Sequence, residues 1–327
     1  MIKKSFLFAL LPCILSMTGT AGAAQDSTAK LSAPLTIVVG YAPGGATDRA
    51  ARIVATGLQA KLGVPVVVEN KTGAGGRIAA QHVKNAGPND NTLLLGNPAV
   101  MVVAPLVFDS LPYDAAQDFQ PVSMATEYGF GVAVSADSQI KDMQGLVAWA
   151  KANPDKFNIG VPATGSLPHF FGLMLSKQIG AEGQIIGYRG SAPVITDLIG
   201  GAVPVAIDTL DVLTRQHQGN RIRVLATSGQ AREASLPDVP TFKQAGIDLQ
   251  AAGWNTFFAS SAMPKDKAAM LGEAIKSVTA DPGVRKNLQE NDLIPVSANA
   301  QETGKLVDAF RAQWAPVVKA SGFVVTK

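Results

Sequence analysis

Twice along this chain an apolar run gives way to a run with helical spacing, then to another apolar run, and both series keep the same order. Alternation of this kind restricts the fold to an α/β architecture built on parallel sheets. In the first series Leu35–Gly40 reads as a buried strand. Thr47–Leu62 follows as a helix, with small or apolar residues at Ala50, Ala51, Val54 and Leu58. Val64–Glu69 is a second strand, Arg77–Lys84 a helix and Thr92–Leu95 a third strand. Phe119–Ala125 adds a fourth, which leads through Glu127–Gly131 into Val132–Ser135.

The second series repeats the pattern without repeating the residues. Strands are expected at Phe157–Val161, Gln184–Tyr188, Val203–Ile207 and Ile222–Ala226, with helices at His169–Ile179 and Ser191–Gly200. Trp254–Ser260 reads as a strand after a loop rich in Pro, Asp and Gly. The tail is helical at Lys265–Ala280, Gly283–Asn291 and Gln301–Ser321, broken at Pro282 and Pro295. Two βαβ lobes are therefore expected, joined by crossing segments near Glu127–Gly131 and Ser228–Gly253. Residues 25–127 with 254–327 form lobe I and residues 128–253 lobe II. Open parallel sheets bind ligands beyond the carboxyl ends of their strands, so two facing sheets define one interdomain cleft.

Residues 1–24 have the pattern of an export leader. Lys3 and Lys4 precede the apolar stretch Ser5–Met17, and small residues run to Ala24, with cleavage expected after Ala23 or Ala24. Cys13, the only cysteine, lies inside this stretch behind Pro12, a poor context for lipid attachment. A mature chain without cysteine has no disulfides and no thiol chemistry. Losing the leader removes two lysines and leaves 26 basic against 25 acidic residues. With no basic stripe, nucleic acid is a poor partner. Beyond residue 24 the longest apolar stretch, Leu93–Phe108, is interrupted by Gly96, Asn97, Pro98 and Pro105. A soluble periplasmic monomer is expected.

Chemistry concentrates in loops. Tyr41–Asp48 (YAPGGATD) joins the first strand to its helix: Pro43 stiffens the turn, and Gly44 and Gly45 let a ligand approach the backbone. After Ala46, Thr47 or Asp48 can cap the helix that follows, where free amides and the helix dipole favour an anion. Val161–Phe170 (VPATGSLPHF) repeats the arrangement, with Thr164, Gly165 and Ser166 before a helix. Opposed across a cleft, two such helix starts could clamp a carboxylate without Arg or Lys. Asn70–Ala79 (NKTGAGGRIA) has Gly73 and Gly75 but Ile78 where a dinucleotide fingerprint needs glycine, so it reads as a surface turn.

No enzyme is expected. His82 and His217 sit in polar surroundings and read as solvated. Ser166 with His169 lacks the G-x-S-x-G elbow, so this pair reads as a helix cap plus a donor to ligand. No metal or cofactor motif is present. Asp208, ending the strand VPVAID, is directed at the cleft on this topology, and Tyr188, ending QIIGY, is a further candidate for the ligand site. Asp208 could receive a ligand amine or hydroxyl, or cap neighbouring amides. Trp254 reads as core.

Over nearly the whole mature length the chain resembles the Bug-type receptors of tripartite tricarboxylate transport systems. The resemblance rests on PLTIVVGYAPGGATDRAAR, VVVENKTGAGGRIAA, IIGYRGSAPVITDLIGGAVPVAIDTL and IRVLATSGQAREASLPDVPTF. It implies a type II periplasmic-binding fold and a ligand carboxylate held by backbone amides and waters from Pro43–Asp48 and Thr164–His169. Asn97 and Pro98 would also line the cleft, and membrane transporter subunits would be the partners. The ligand class is an organic, amino or aromatic acid; Leu167 and Phe170 make the second loop more apolar than is usual for the family, which admits an aromatic or longer aliphatic acid. A sensing receptor uses the same clamp, so signalling stands beside uptake as an alternative, and a bilobal enzyme is a weaker one.

Overall fold

The computed structural model describes residues 31–325, so the leader and Cys13 lie outside it. Its strands form two sheets. The first contains β1 (Leu35–Val39), β2 (Val66–Asn70), β3 (Thr92–Gly96), β4 (Phe119–Tyr128), β10 (Gly253–Ser260) and β11 (Ile294–Pro295). Their order is β11-β4-β10-β3-β1-β2. The central β1 pairs in parallel with β2 and β3, whereas β10 runs antiparallel to β3 and β4. The second sheet contains β5 (Phe130–Ser135), β6 (Asn158–Val161), β7 (Gln184–Gly187), β8 (Val205–Thr209) and β9 (Ile222–Thr227), in the order β7-β6-β8-β5-β9. Here β6 is parallel to β7 and β8, while β5 is antiparallel to β8 and β9.

Only Gly129 separates β4 from β5, so the chain passes between sheets without a loop. A side chain at Gly129 would press within 2.8 Å of Leu210. The return path runs from Thr227 to Gly253 and is tied down where Ser228 Oγ donates to the Ala251 carbonyl at 2.6 Å.

Helices α1 (Ala46–Leu62), α2 (Arg77–Lys84), α8 (Lys265–Ala280) and α9 (Pro282–Gln289) accompany the first sheet. Helices α5 (Leu167–Ile179), α6 (Ser191–Ile199) and α7 (Leu210–Gln218) accompany the second. The long α10 (Ala300–Ala320) packs on β4 and also touches α5, so it bears on both sheets. Its Trp314 meets Phe130 of β5 with ring centroids 6.2 Å apart, and Phe130 meets Phe171 of α5 at 5.4 Å. Each such aromatic removes about 150–250 Å² from water, roughly 4–6 kcal/mol of burial before entropy is counted.

Three helical segments went unread in the sequence. Helix α4 (Met143–Ala152) buries Met143, Leu146 and Ala150 at helical spacing and is capped by Asp142, whose carboxylate accepts from the Gly145 N–H. Helix α7 occupies what looked like a polar loop. A π-helical turn at Ala99–Val103, preceded by Pro98, continues into the short α3 (Ala104–Val107), which has Pro105 in its first turn. Strand β8 starts and ends two residues later than its apolar run suggested, which puts Asp208 inside the strand.

Candidate functional site

The loop between β1 and α1 is organised by Asp48, not left open by it. Asp48 is buried and accepts from the Gly44 N–H (2.8 Å), Arg52 Nε (3.0 Å) and Asn70 Nδ2 (2.8 Å). Burial opposes ionisation, but these donors outweigh it and hold the carboxyl below its usual range. The Asp48 side chain is thus spent inside the protein and unsuited to contacting a solute. Thr47 is likewise engaged, donating to Asn255 Oδ1 on β10 at 2.9 Å. Gly44 has φ +88°, a conformation that favours glycine, whereas Gly45 has an ordinary φ of −74°. Gly45 is the N-cap of α1 and supplies no side-chain cap, so the first-turn amides keep their donor capacity. Pro43, Gly44 and Gly45 are exposed at the loop tip.

The second loop closes on itself. The Gly165 N–H donates to His169 Nδ1 at 2.8 Å, and Ser166 Oγ caps α5 by accepting from the His169 N–H at 3.4 Å. Ser166 also donates its hydroxyl to the Ala163 carbonyl at 2.7 Å. His169 is therefore unprotonated at Nδ1, and burial pushes its pKa down from the ordinary imidazole value. Its ring stacks on Phe170, with centroids 5.0 Å apart, and meets Phe323 edge-on at 5.5 Å. The Ser166 cap was legible in sequence; the amide–imidazole bond was not.

Between these elements lies a cavity of about 270 Å³. On one side stand Tyr41, Gly75 and Arg77; on the other, Ala163 to Ser166. Val103, Val107 and Phe108 form its floor, and Phe323 with Val325 of the C-terminal segment cross over it. Val325 is held there by its N–H, which donates to the Val107 carbonyl at 2.8 Å. The turn at Gly73–Gly76 is therefore part of the cavity and not merely a surface turn. Gly76 has φ +92°, and a side chain there would meet Val100 at 2.8 Å. Arg77 follows it with its guanidinium carbon 3.9 Å from the centroid of Phe108. An arginine thus borders the cavity, a basic side chain that a clamp made of two helix starts does not require.

Asn97 is buried after β3 and accepts from the Tyr41 hydroxyl (3.1 Å) and the Val100 N–H (3.3 Å). Pro98 is buried and begins the turn that carries Ala99 to the cavity. Asp208 is only 1% exposed. Its Oδ1 accepts from the Thr209 N–H at 2.8 Å, and the Ser191 hydroxyl also bears on the carboxylate. Burial pushes this carboxyl up to about 6. Tyr188 stands apart from the other candidates: its ring packs on the cluster around Val194 and Leu198, and its hydroxyl is taken by Asp197 at 2.8 Å. Thr164 lies against the end of β7, its Oγ1 in the space a side chain at Gly187 would need.

His82 is exposed as expected, but His217 is not a free loop residue. It sits in the last turn of α7, and its Nδ1 accepts from the Val224 N–H at 3.2 Å. Trp254 is buried against Phe258 and Phe310. A larger cavity of about 480 Å³ opens beside the crossing segments, among Glu127, Glu233 and Asp292, but neither glycine loop borders it. Among the described residues no helix is long and apolar enough to cross a membrane.

Two α/β sheets joined by crossing segments, with glycine loops of each meeting at one cavity, have the architecture of a type II periplasmic-binding receptor. Residues 50–323 match the tripartite tricarboxylate transporter family receptor. A UPF0065 protein of Bordetella bronchiseptica is 32% identical over 312 residues, covering 95% of this chain and 92% of its own. The chain belongs to the tripartite tricarboxylate transporter receptor family, a family of solute-binding receptors. Solved structures agree in fold. The periplasmic binding protein BugD is 28% identical with a TM-score of 0.76, over 90% of this chain and 99% of its own. MatC of Rhodopseudomonas palustris with bound malate is 26% identical (TM-score 0.73, 88% and 99% covered). A second R. palustris protein, with adipate, is 28% identical (TM-score 0.80, 89% and 98% covered).

Proposed function

We propose that this protein is a periplasmic receptor that captures a small carboxylate between its two lobes and delivers it to the membrane subunits of a tripartite transporter. In this reading residues 25–127 with 254–327 form one lobe, residues 128–253 the other, and no chemical step occurs. The observation that carries it is the start of α1: an uncapped helix N-terminus, behind an exposed Pro-Gly-Gly tip, in a loop whose first residue, Tyr41, lines the interlobe cavity. Uncommitted amides and the positive end of a helix dipole suit a carboxylate and need no basic side chain. The malate and adipate held by two relatives support the same ligand chemistry.

The second loop plays a different part, because its Gly165 and His169 amides are already satisfied. It acts as a shaped wall, with α1 supplying the free donors. Titration calorimetry of the mature protein against a panel of mono- and dicarboxylates tests the reading. Saturable binding of at least one carboxylate is expected, while binding confined to uncharged or cationic solutes would refute it.

A further inference from the structure

We infer that the solute has an apolar body, which fills the slot between Phe108 and Phe323, and a carboxylate that pairs with Arg77. The inference rests on the carboxylate reading above and narrows it: Arg77 joins the α1 amides as a donor to the solute carboxylate.

Arg77 forms no salt bridge with any described carboxylate. Its guanidinium lies half-buried, 3.9 Å over the Phe108 ring, at the edge of the cavity. Stacking on an aromatic face fixes the plane of the fork and leaves its N–H edge available, the geometry that matches a carboxylate bidentately. The polar neighbours do not compete for it. The Tyr41 hydroxyl is committed to Asn97 and Gly75, and the Tyr113 hydroxyl to the Val100 carbonyl.

The walls beyond Arg77 exclude a small, richly hydroxylated acid. Val103, Val107, Phe108, Phe323 and Val325 present hydrocarbon, and a solute hydroxyl or second carboxylate set against them would lose its water without gaining a partner. An apolar body gains there instead. The volume is adequate: an apolar cavity of about 150 Å³ accepts benzene, and about 270 Å³ leaves room for a ring or a chain of several methylenes with its carboxylate. Phe323 makes the slot dependent on both lobes, since the C-terminal segment lies edge-on to His169 and Phe170 of α5.

Titration calorimetry of the mature protein with benzoate, hexanoate and malate tests this, on wild type, Arg77→Gln, Arg77→Lys and Phe323→Ala. Benzoate or hexanoate is expected to bind at least tenfold more tightly than malate. Arg77→Gln should weaken that probe by at least tenfold while changing malate less than threefold, and Arg77→Lys should recover only part of the loss. Phe323→Ala should weaken the apolar-bodied probe selectively, and thermal melts confirm that each variant is folded. Malate binding as tightly as both other probes, or equal losses for all probes in Arg77→Gln, would overturn the inference and leave the carboxylate receptor intact. Failure of all three probes and of every other carboxylate in the panel would overturn both.

Discussion

Arg49 of α1 and Asp211 of α7 form an ion pair across the cleft at 3.1 Å, and the same guanidinium donates to the Gly44 carbonyl at 2.7 Å. One side chain therefore connects the Pro-Gly-Gly loop of the first lobe to the opposite lobe. The pair is largely sheltered, with side-chain exposures of 21% and 11%, so salt screens it less than a surface pair.

Breaking this bridge is expected to favour separation of the lobes. Arg49→Met leaves Asp211 unpaired near Asp208 and Asp292, each of which already feels its charge. Solute affinity should fall about tenfold, equivalent to about 1.4 kcal/mol. Asp211→Asn should have a smaller effect, and the double variant should be less impaired than the sum of the two. A double-mutant cycle measured by calorimetry checks this, and strict additivity would show that the two residues act separately.

The two loop glycines should separate folding from binding. Gly44, at φ +88°, resists any side chain, so Gly44→Ala should lower stability by about 1–3 kcal/mol, visible as a lower Tm. At Gly45 the backbone is ordinary, and an added Cβ would find only the Ala42 carbonyl oxygen, at 3.7 Å. Gly45→Val should keep the Tm near wild type and abolish binding by covering the amides of α1. Circular dichroism melts paired with calorimetry distinguish the cases, and a folded Gly45→Val protein of normal affinity would move the carboxylate away from α1.

These contrasts mark what sequence could and could not reveal. The sheet strands were legible because Leu35–Val39 and Thr92–Gly96 are mostly apolar runs and Gly253–Ser260 is centred on the apolar Phe257–Ala259, all largely buried on both faces. Helix α7 was missed because Leu210 and Leu213 are its only large buried side chains among polar neighbours. Asp48 looked like a ligand contact because it ends the loop, yet Arg52, one helical turn on, already pointed to an internal partner. Arg77 was hidden for a different reason. Its setting depends on Phe108 and on a cavity wall at Phe323, which no local pattern connects to a glycine turn.

Acid should loosen the second loop through His169. Its pKa is depressed by burial, so the stability it contributes is present above the ordinary imidazole value and is lost as pH falls through the lower folded value. A proton at Nδ1 would confront the Gly165 N–H that now donates to it. Solute affinity should therefore drop in mildly acidic buffer. His169→Asn, which retains an acceptor near the Nδ1 position, should keep binding at neutral pH and remove the acid step. His169→Ala should weaken binding throughout. Affinity measured from pH 5 to pH 8 on the three proteins reads this directly, and an identical acid step in His169→Asn would exonerate the imidazole.

Asp208 carries the opposite sign. Burial raises its pKa from 3.8 to about 6, so the folded state holds the proton more tightly than the unfolded chain does. Stability from this group is complete below pH 4 and is lost as pH rises through about 6, a change of up to about 3 kcal/mol. Asp208→Asn should flatten that part of the pH–stability profile. The same variant also examines whether the buried carboxylate, which has Thr209 and Ser191 as polar neighbours, accepts from a solute amine or hydroxyl. A charge-assisted bond of that kind contributes roughly 1.5–3 kcal/mol, or about one to two decades of affinity. If the carboxylate meets the solute, Asp208→Asn should weaken amino- and hydroxy-acids by that margin and improve tolerance of plain diacids. If the carboxylate serves only the Thr209 amide, the melting profile should change while relative affinities stay fixed. Thermal melts from pH 4 to pH 7, with calorimetry on the same variant against malate and adipate, decide between the two roles. Unchanged selectivity would remove Asp208 from the binding surface.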